Sequence, residues 1–120
     1  MNRAAAIARF IDCQYVAEEG DVRENVENLF AAELAYHVGG QTLDREDLVA
    51  MGTAVRATPR HSRRIEARDF EQEGAVVRWR LSARLPTADS DGEDLHQESI
   101  VTAIFGADGK IIEVRSEPAG

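Results

Sequence analysis

Cysteine is nearly missing: Cys13 is the single one in 120 residues. It cannot close an internal disulfide, and nothing in the chain asks for an oxidising compartment. Basic charge is also short, with 14 Lys and Arg against 22 Asp and Glu and a net charge of -8. A chain so acidic lacks the footprint of a nucleic-acid or anionic-membrane binder, so neither is expected as a partner. Long hydrophobic runs are absent. The opening MNRAAAIARFID is broken by Arg9 and Asp12, which fits neither a signal segment nor a membrane span, and the expected location is the cytoplasm. No repeat, low-complexity tract or linker divides the chain, so residues 1–120 are read as one domain. There is no phosphate-binding glycine loop and no nucleophile elbow. The three histidines are scattered without spaced carboxylates, and His96-Gln97-Glu98 has no downstream Pro-Cys-x-x-Cys. No metal and no cofactor are expected.

What remains is an ordinary balance for a soluble globular domain, long enough to bury roughly two thirds of its unfolded surface. Residues 3–18 carry Ile7, Phe10, Ile11 and Gln14 or Tyr15 on one stripe and read as a helix ended by Gly20. Asp21 with Glu24 resembles a capping box, opening a second helix whose apolar side is Val22, Val26, Leu29 and Phe30. A short strand from Leu34 to Val38 stops at Gly39-Gly40. Asp44 then caps a third helix, with Leu48, Met51, Gly52 and Val55 at helical spacing, ending before Pro59. After that the period becomes two, and strands are expected at about 62–71, 75–86, 94–105 and 111–117. The turns between them are Glu73-Gly74, the polar run from Thr87 to Glu93, and Ala107-Asp108-Gly109. The fold class is α+β: three N-terminal helices packed on a strongly curved, mostly antiparallel sheet, with a pocket between helices and sheet.

The segment VVRWRLSARLP, residues 76–86, has two unlike faces. One is Arg78, Arg80, Ser82 and Arg84; the other is Val77, Trp79, Leu81, Ala83 and Leu85. Closing the 87–93 loop symmetrically pairs Arg84 with His96, Ser82 with Glu98, Arg80 with Ile100 and Arg78 with Thr102. It also pairs Leu85 with Leu95, Trp79 with Val101 and Val77 with Ala103. In the last hairpin Ile104, Ile112 and Val114 are expected on one face, and Val101, Phe105 and Ile111 on the other. A sheet apolar on both sides needs two covers: the helices supply one, and a second copy of the chain is the expected other.

The order of these elements, with the EEGDV hinge, LFAAELAYHVGG and the FGADGKIIEV hairpin, resembles the nuclear transport factor 2-like superfamily. That superfamily includes ketosteroid isomerase, limonene epoxide hydrolase and the SnoaL-like polyketide cyclases. The resemblance covers nearly the whole chain and implies a conical pocket between helices and sheet, with a homodimer through the outer sheet face. Laid beside limonene epoxide hydrolase, it puts Tyr36 in a water- or substrate-orienting role and a pocket arginine on Arg78. The carboxylates that partner that arginine fall on Arg80 and Ser116, and a water-binding asparagine falls on Val38. Ketosteroid isomerase places its base near Val38, its tyrosine near Cys13 and its acid near Glu98. The SnoaL-like cyclases place an aspartate near Thr102.

If the arginine face is the pocket face, Glu98 is the acid/base candidate and Arg78 and Arg80 stabilise negative charge. Tyr36 then orients substrate or water, while Thr102, Ser116, Val38 and Ile100 line the binding site. Trp79, Leu81 and Leu85 belong to the dimer face. The competing reading puts Trp79 in the core and the arginines in water, paired with Glu66, Asp69 or Glu71. His96 reads as a rim residue, His37 as pointing away from the pocket, and His61 as surface. Cys13 reads as a small core residue. Two functions follow. One is an isomerase, cyclase, dehydratase or hydrolase acting by acid/base chemistry on a small hydrophobic, possibly anionic molecule. The other is a ligand-binding or dimerisation module that has lost its catalytic carboxylates.

Overall fold

A computed structural model describes residues 2–59, 62–86 and 94–119 of the chain. The elements run in the order α1 (Arg3–Ile11), α2 (Val22–Leu29), β1 (Phe30–Val38), β2 (Gln41–Leu43), α3 (Arg45–Ala57), β3 (Arg64–Glu73), β4 (Val76–Pro86), β5 (Asp94–Phe105) and β6 (Ile111–Pro118). The six strands form one open sheet in the order β2-β1-β6-β5-β4-β3. All neighbours are antiparallel except β1 and β6, which run parallel.

Local chemistry starts the helices where the sequence suggests. Asn2 caps α1 by accepting from the Ala4 and Ala5 amides. Asp21 accepts from Glu24 N–H at the head of α2, and Asp44 and Asp47 cap α3 reciprocally. Two boundaries differ from expectation. α1 ends at Ile11 and widens into a π-helical turn, Asp12–Val16, instead of continuing to residue 18. Phe30 starts β1 rather than closing α2, because this segment pairs with β6, Phe30 lying opposite Ile111. Tertiary pairing overrides the helical propensity of its alanines. Gly39 and Gly40, both with positive φ, form the turn of a β1–β2 hairpin, so the chain does not stop there but pairs back on itself.

The β4–β5 register is the expected one, residue for residue, from Val77 opposite Ala103 to Leu85 opposite Leu95. The expected loop from Thr87 to Glu93 lies outside the described residues. Val77, Trp79, Val101, Ala103, Phe105, Ile111 and Val114 are buried against the helices, which contribute Ile7, Ile11, Val26, Leu29 and Leu48. Trp79 is therefore on the inner face and Arg78 and Arg80 on the outer one. Helix stripes made of Ile, Leu and Phe offer no carboxylate to a guanidinium, so inward arginines would be buried without partners. Val114 also changes sides. A bulge at Ile112 sets Phe105 against Ile111 and Ala103 against Val114, bringing Ile111 and Val114 to the same face. A second bulge in β3, where Asp69 adopts a positive φ, turns Phe70 inward to stack on Trp79 at 5.9 Å. Such bulges bend a sheet.

The helices are clasped by polar groups. Gln14, fully buried in the π-helical turn, donates from Nε2 to Val22 O at 3.2 Å and accepts from Asn25 Nδ2 at 2.9 Å. Arg56 of α3 donates to the carbonyls of Cys13, Gln14, Glu19 and Gly20. Arg63, whose side chain is 3% exposed, donates to the carbonyls of Tyr15, Val55 and Thr58 and pairs with Glu18. These two arginines satisfy acceptors that the widened turn and the end of α3 leave open.

Gly52 lets Gln14 approach α3. A Cβ there would lie 2.7 Å from Gln14 Nε2 and 2.9 Å from Val22 Cγ1. In a helix interior Gly→Ala ordinarily gains up to about 1 kcal/mol. Here overpacking reverses the sign, and Gly52→Ala is expected to destabilise by about 1–3 kcal/mol. A thermal melt checks this; a rise in melting temperature would show that Gln14 does not sit against Gly52.

Candidate functional site

Between the inner sheet face and the helices lies a cavity of about 250 Å³. Its walls are predominantly apolar. Ile7, Phe10 and Ile11 come from α1, Leu48, Met51 and Val55 from α3, and Trp79, Leu81 and Ile111 from the sheet. Among the described lining residues there is no Asp, Glu, His, Lys or Arg. Polarity is supplied by neutral groups: Gln97 and Ser99 on β5, Ser116 on β6, the phenols of Tyr15 and Tyr36, and the Trp79 indole. A charged ligand group placed inside would meet no compensating charge, so the walls favour a neutral molecule.

The two phenols are protonated donors. Burial pushes the Tyr15 hydroxyl far above its ordinary value, and the nearby Tyr36 pushes it further. Burial also raises Tyr36. Neither hydroxyl hydrogen-bonds to another described residue. Tyr15 is positioned by the π-helical turn, which is anchored through its carbonyl by Arg63, and by an edge contact with Phe10 at 5.9 Å. Tyr36 is set by β1, opposite Val114. Neutral phenols in an apolar cavity can hold and polarise a ligand oxygen; they do not act as bases.

No family model matches the chain, and no curated protein matches it in sequence. Solved structures do match. SalBIII, an epoxide hydrolase/cyclase-like enzyme of pyran ring formation in the polyether salinomycin, superposes with a TM-score of 0.72 at 20% identity, covering 98% of this chain and 90% of that one. An LEH-like epoxide hydrolase of M. tuberculosis gives 0.71 at 13% identity, covering 98% and 82%. The chain has the nuclear transport factor 2-like fold. IdmH, a polyketide cyclase candidate from Streptomyces antibioticus, likewise gives 0.70 at 18% identity, covering 97% and 91%.

Within this fold the residues singled out from sequence divide between two sides. Tyr36, Val38 and Ser116 stand on the cavity wall. Arg78, Arg80, Glu98, Ile100 and Thr102 do not: by register they share the outer face. The expectation that they line the pocket is corrected, and with it the assignment of Trp79 and Leu81 to a dimer face. The reason is the period of a strand. A comparison that slips by one residue moves every side chain to the opposite face. Glu98 is also not a carboxyl raised by burial. Arg68, at 2.6 Å, and Ser82, at 3.1 Å, hydrogen-bond to it and hold it below the usual carboxylate range.

His37 points away from the cavity, with Nδ1 at 3.2 Å from Thr42 Oγ1 and Nε2 at 3.5 Å from Glu113. His96 is exposed opposite Arg84 on the outer face, and His61 lies outside the described residues. Cys13 is half-buried, its Sγ 4.0 Å from Glu19. Among the described residues no cluster of three His, Cys, Asp or Glu is placed to hold a metal. Among the described residues no helix is long and apolar enough to cross a membrane. Sequence reasoning had Tyr15 only as a stripe residue and missed it as a cavity group; its place at the end of the apolar stripe of α1 was the available signal.

Tyr15 and Tyr36 are the only tyrosines of the chain. The native protein should therefore show less phenolate absorbance around pH 10 than the urea-unfolded chain, which titrates near that ordinary value. Because the folded-state values are raised, the stability they contribute is complete below pH 10 and is lost as the pH rises past it. An ultraviolet titration of native and unfolded protein checks both statements.

Proposed function

We propose that this protein is a small-molecule enzyme of the cyclase or isomerase type, acting on a neutral, largely apolar substrate that carries at least one oxygen. The observation that carries this reading is the pair of phenols, without a hydrogen-bond partner among the described residues, in a predominantly apolar cavity. Likeness of fold to cyclase-like and hydrolase-like enzymes supports it without specifying the chemistry. A cavity of about 250 Å³, just below the roughly 300–1,000 Å³ range of ligand pockets, fits a compact substrate. Confinement brings the reacting ends of one molecule together, and Tyr15 and Tyr36 stabilise negative charge developing on its oxygen. Arg78, Arg80 and Glu98 take no part in this chemistry.

A second reading is a binding module without turnover. The lack of a carboxylate or histidine among the described cavity residues favours it, since no wall group is suited to accept a proton.

The two readings separate in one experiment. Neutral cyclic ketones, enones and hydroxy-enones are screened by melting temperature, and stabilising compounds are recovered after incubation. A product of unchanged mass and altered NMR spectrum supports the cyclase or isomerase. Recovery of unchanged ligand supports the binding module, and addition of one water makes the protein a hydrolase. In the enzymatic case Tyr36→Phe is expected to lower turnover by about a hundredfold, as loss of one charge-stabilising donor does. Glu98→Gln should leave turnover unchanged; a loss there would return the outer face to the mechanism.

The expected homodimer becomes, with the faces as found, a proposal about the outer face. Ile100, Thr102 and Ile104 form an unusually apolar strip there among the charged groups of β4 and β6. Sedimentation velocity is expected to show a dimer for the wild type and a monomer for Ile104→Arg; a monomeric wild type rejects it.

A further inference from the structure

Trp79 is 94% buried, being only 6% exposed, and its Nε1 has no hydrogen-bond partner among the described residues. An unpaired buried donor is costly, and a folded chain rarely leaves one without a reason. The surroundings say where an acceptor can come from. One face of the indole is covered by Phe70, stacked at 5.9 Å and 20° between planes. Its nearest neighbours along the inner face, Val77 and Leu81 on β4 and Val101 in register on β5, hold no acceptor, and Ser99, opposite Leu81, is not bonded to the indole. The open volume the indole borders is the cavity.

We propose that Trp79 is a specificity-determining residue of this cavity, its indole N–H donating to an acceptor oxygen of the bound molecule. The inference rests on the cavity being the ligand site and goes further in naming the ligand's chemistry. The oxygen is an acceptor without a necessary proton, that of a ketone, ester or ether. It sits on the sheet side of the ligand, while the phenols of Tyr15 and Tyr36 come from the helix side and from β1. A carboxylate is disfavoured because no lining residue carries positive charge among those described. A saturated hydrocarbon is disfavoured because it leaves the N–H unpaired, and a site built to hydrogen-bond an oxygen rejects the analogue lacking it.

Trp79 is the only tryptophan of the chain, so the protein gives one indole N–H resonance. That signal is followed by proton–nitrogen NMR in the full-length wild type while camphor and menthone are added, each beside its hydrocarbon, bornane or menthane. Ketones are expected to move the indole N–H downfield, hydrocarbons are not, and ketones should bind about tenfold tighter, the worth of one satisfied donor. In Trp79→Phe the ketone preference should fall by about the tenfold that the indole N–H supplies, while binding of the hydrocarbons remains. Equal binding of ketone and hydrocarbon with an unmoved indole signal overturns this inference and leaves the cavity as the ligand site. An indole N–H already downfield in the free protein and indifferent to ketone overturns it as well, since the donor then has a partner. If none of the four compounds shifts any resonance of a cavity residue, the ligand site itself falls, and this inference with it. The wild-type titration decides these outcomes even if Trp79→Phe fails to fold.

Discussion

The buried amide of Gln14 is the joint at which the helices are fixed over the sheet. It sits in a stretch of backbone too wide for an α-helix, between Val22 and Asn25 of α2 and the bare surface of Gly52 on α3. Widening a helix frees carbonyl groups, and a chain that frees them inside must answer them. Arg56 and Arg63 do so, with seven acceptor carbonyls between them. The joint has a chemical consequence. The turn that presents Gln14 to α3 also presents Tyr15 to the cavity, so the phenol is held through the backbone of the same clasp.

Around that joint the molecule separates charge from apolar space more strictly than its composition suggests. Charged side chains of β4 and β5 lie on the outer face, where Arg68, Ser82 and Glu98 satisfy one another. The cavity keeps only neutral polar groups among its described walls, the two phenols and the indole N–H among them as donors. In a low-dielectric space such donors are worth more than in water, and they remain donors because burial opposes their ionisation. Such walls suit the proposed grip on an oxygen of an otherwise apolar molecule. They are unlike a site built around paired carboxylates, even though the same fold carries epoxide hydrolase-like and cyclase-like proteins.

Much of this was open to inspection in the amino-acid order. The Asn and Asp caps, the change of period near residue 62 and the pairing of β4 with β5 all follow from local chemistry and strict alternation. The bulge at Ile112 was not legible, because an added residue changes sides without leaving a local mark, and Val114 went with it. Arg63 was hidden for a different reason: in TPRHSRR it looks like one more surface cation, and only the carbonyls of distant residues make it a buried one.

Alternation along VVRWRLSARLP determined that this strand has an arginine face and a tryptophan face, and the equal count of residues on either side of the polar run gave the pairing across to β5. The sequence could not determine which face is inside. Periodicity has no sign: a strand turned over pairs identically and buries the opposite set. The sign came from the tertiary structure, because α1, α2 and α3 bring isoleucine, leucine and phenylalanine to the sheet and no carboxylate to receive a guanidinium. Burying Trp79 against them is favourable and burying Arg80 there is not, so the arginines went outward and the cavity became a neutral one.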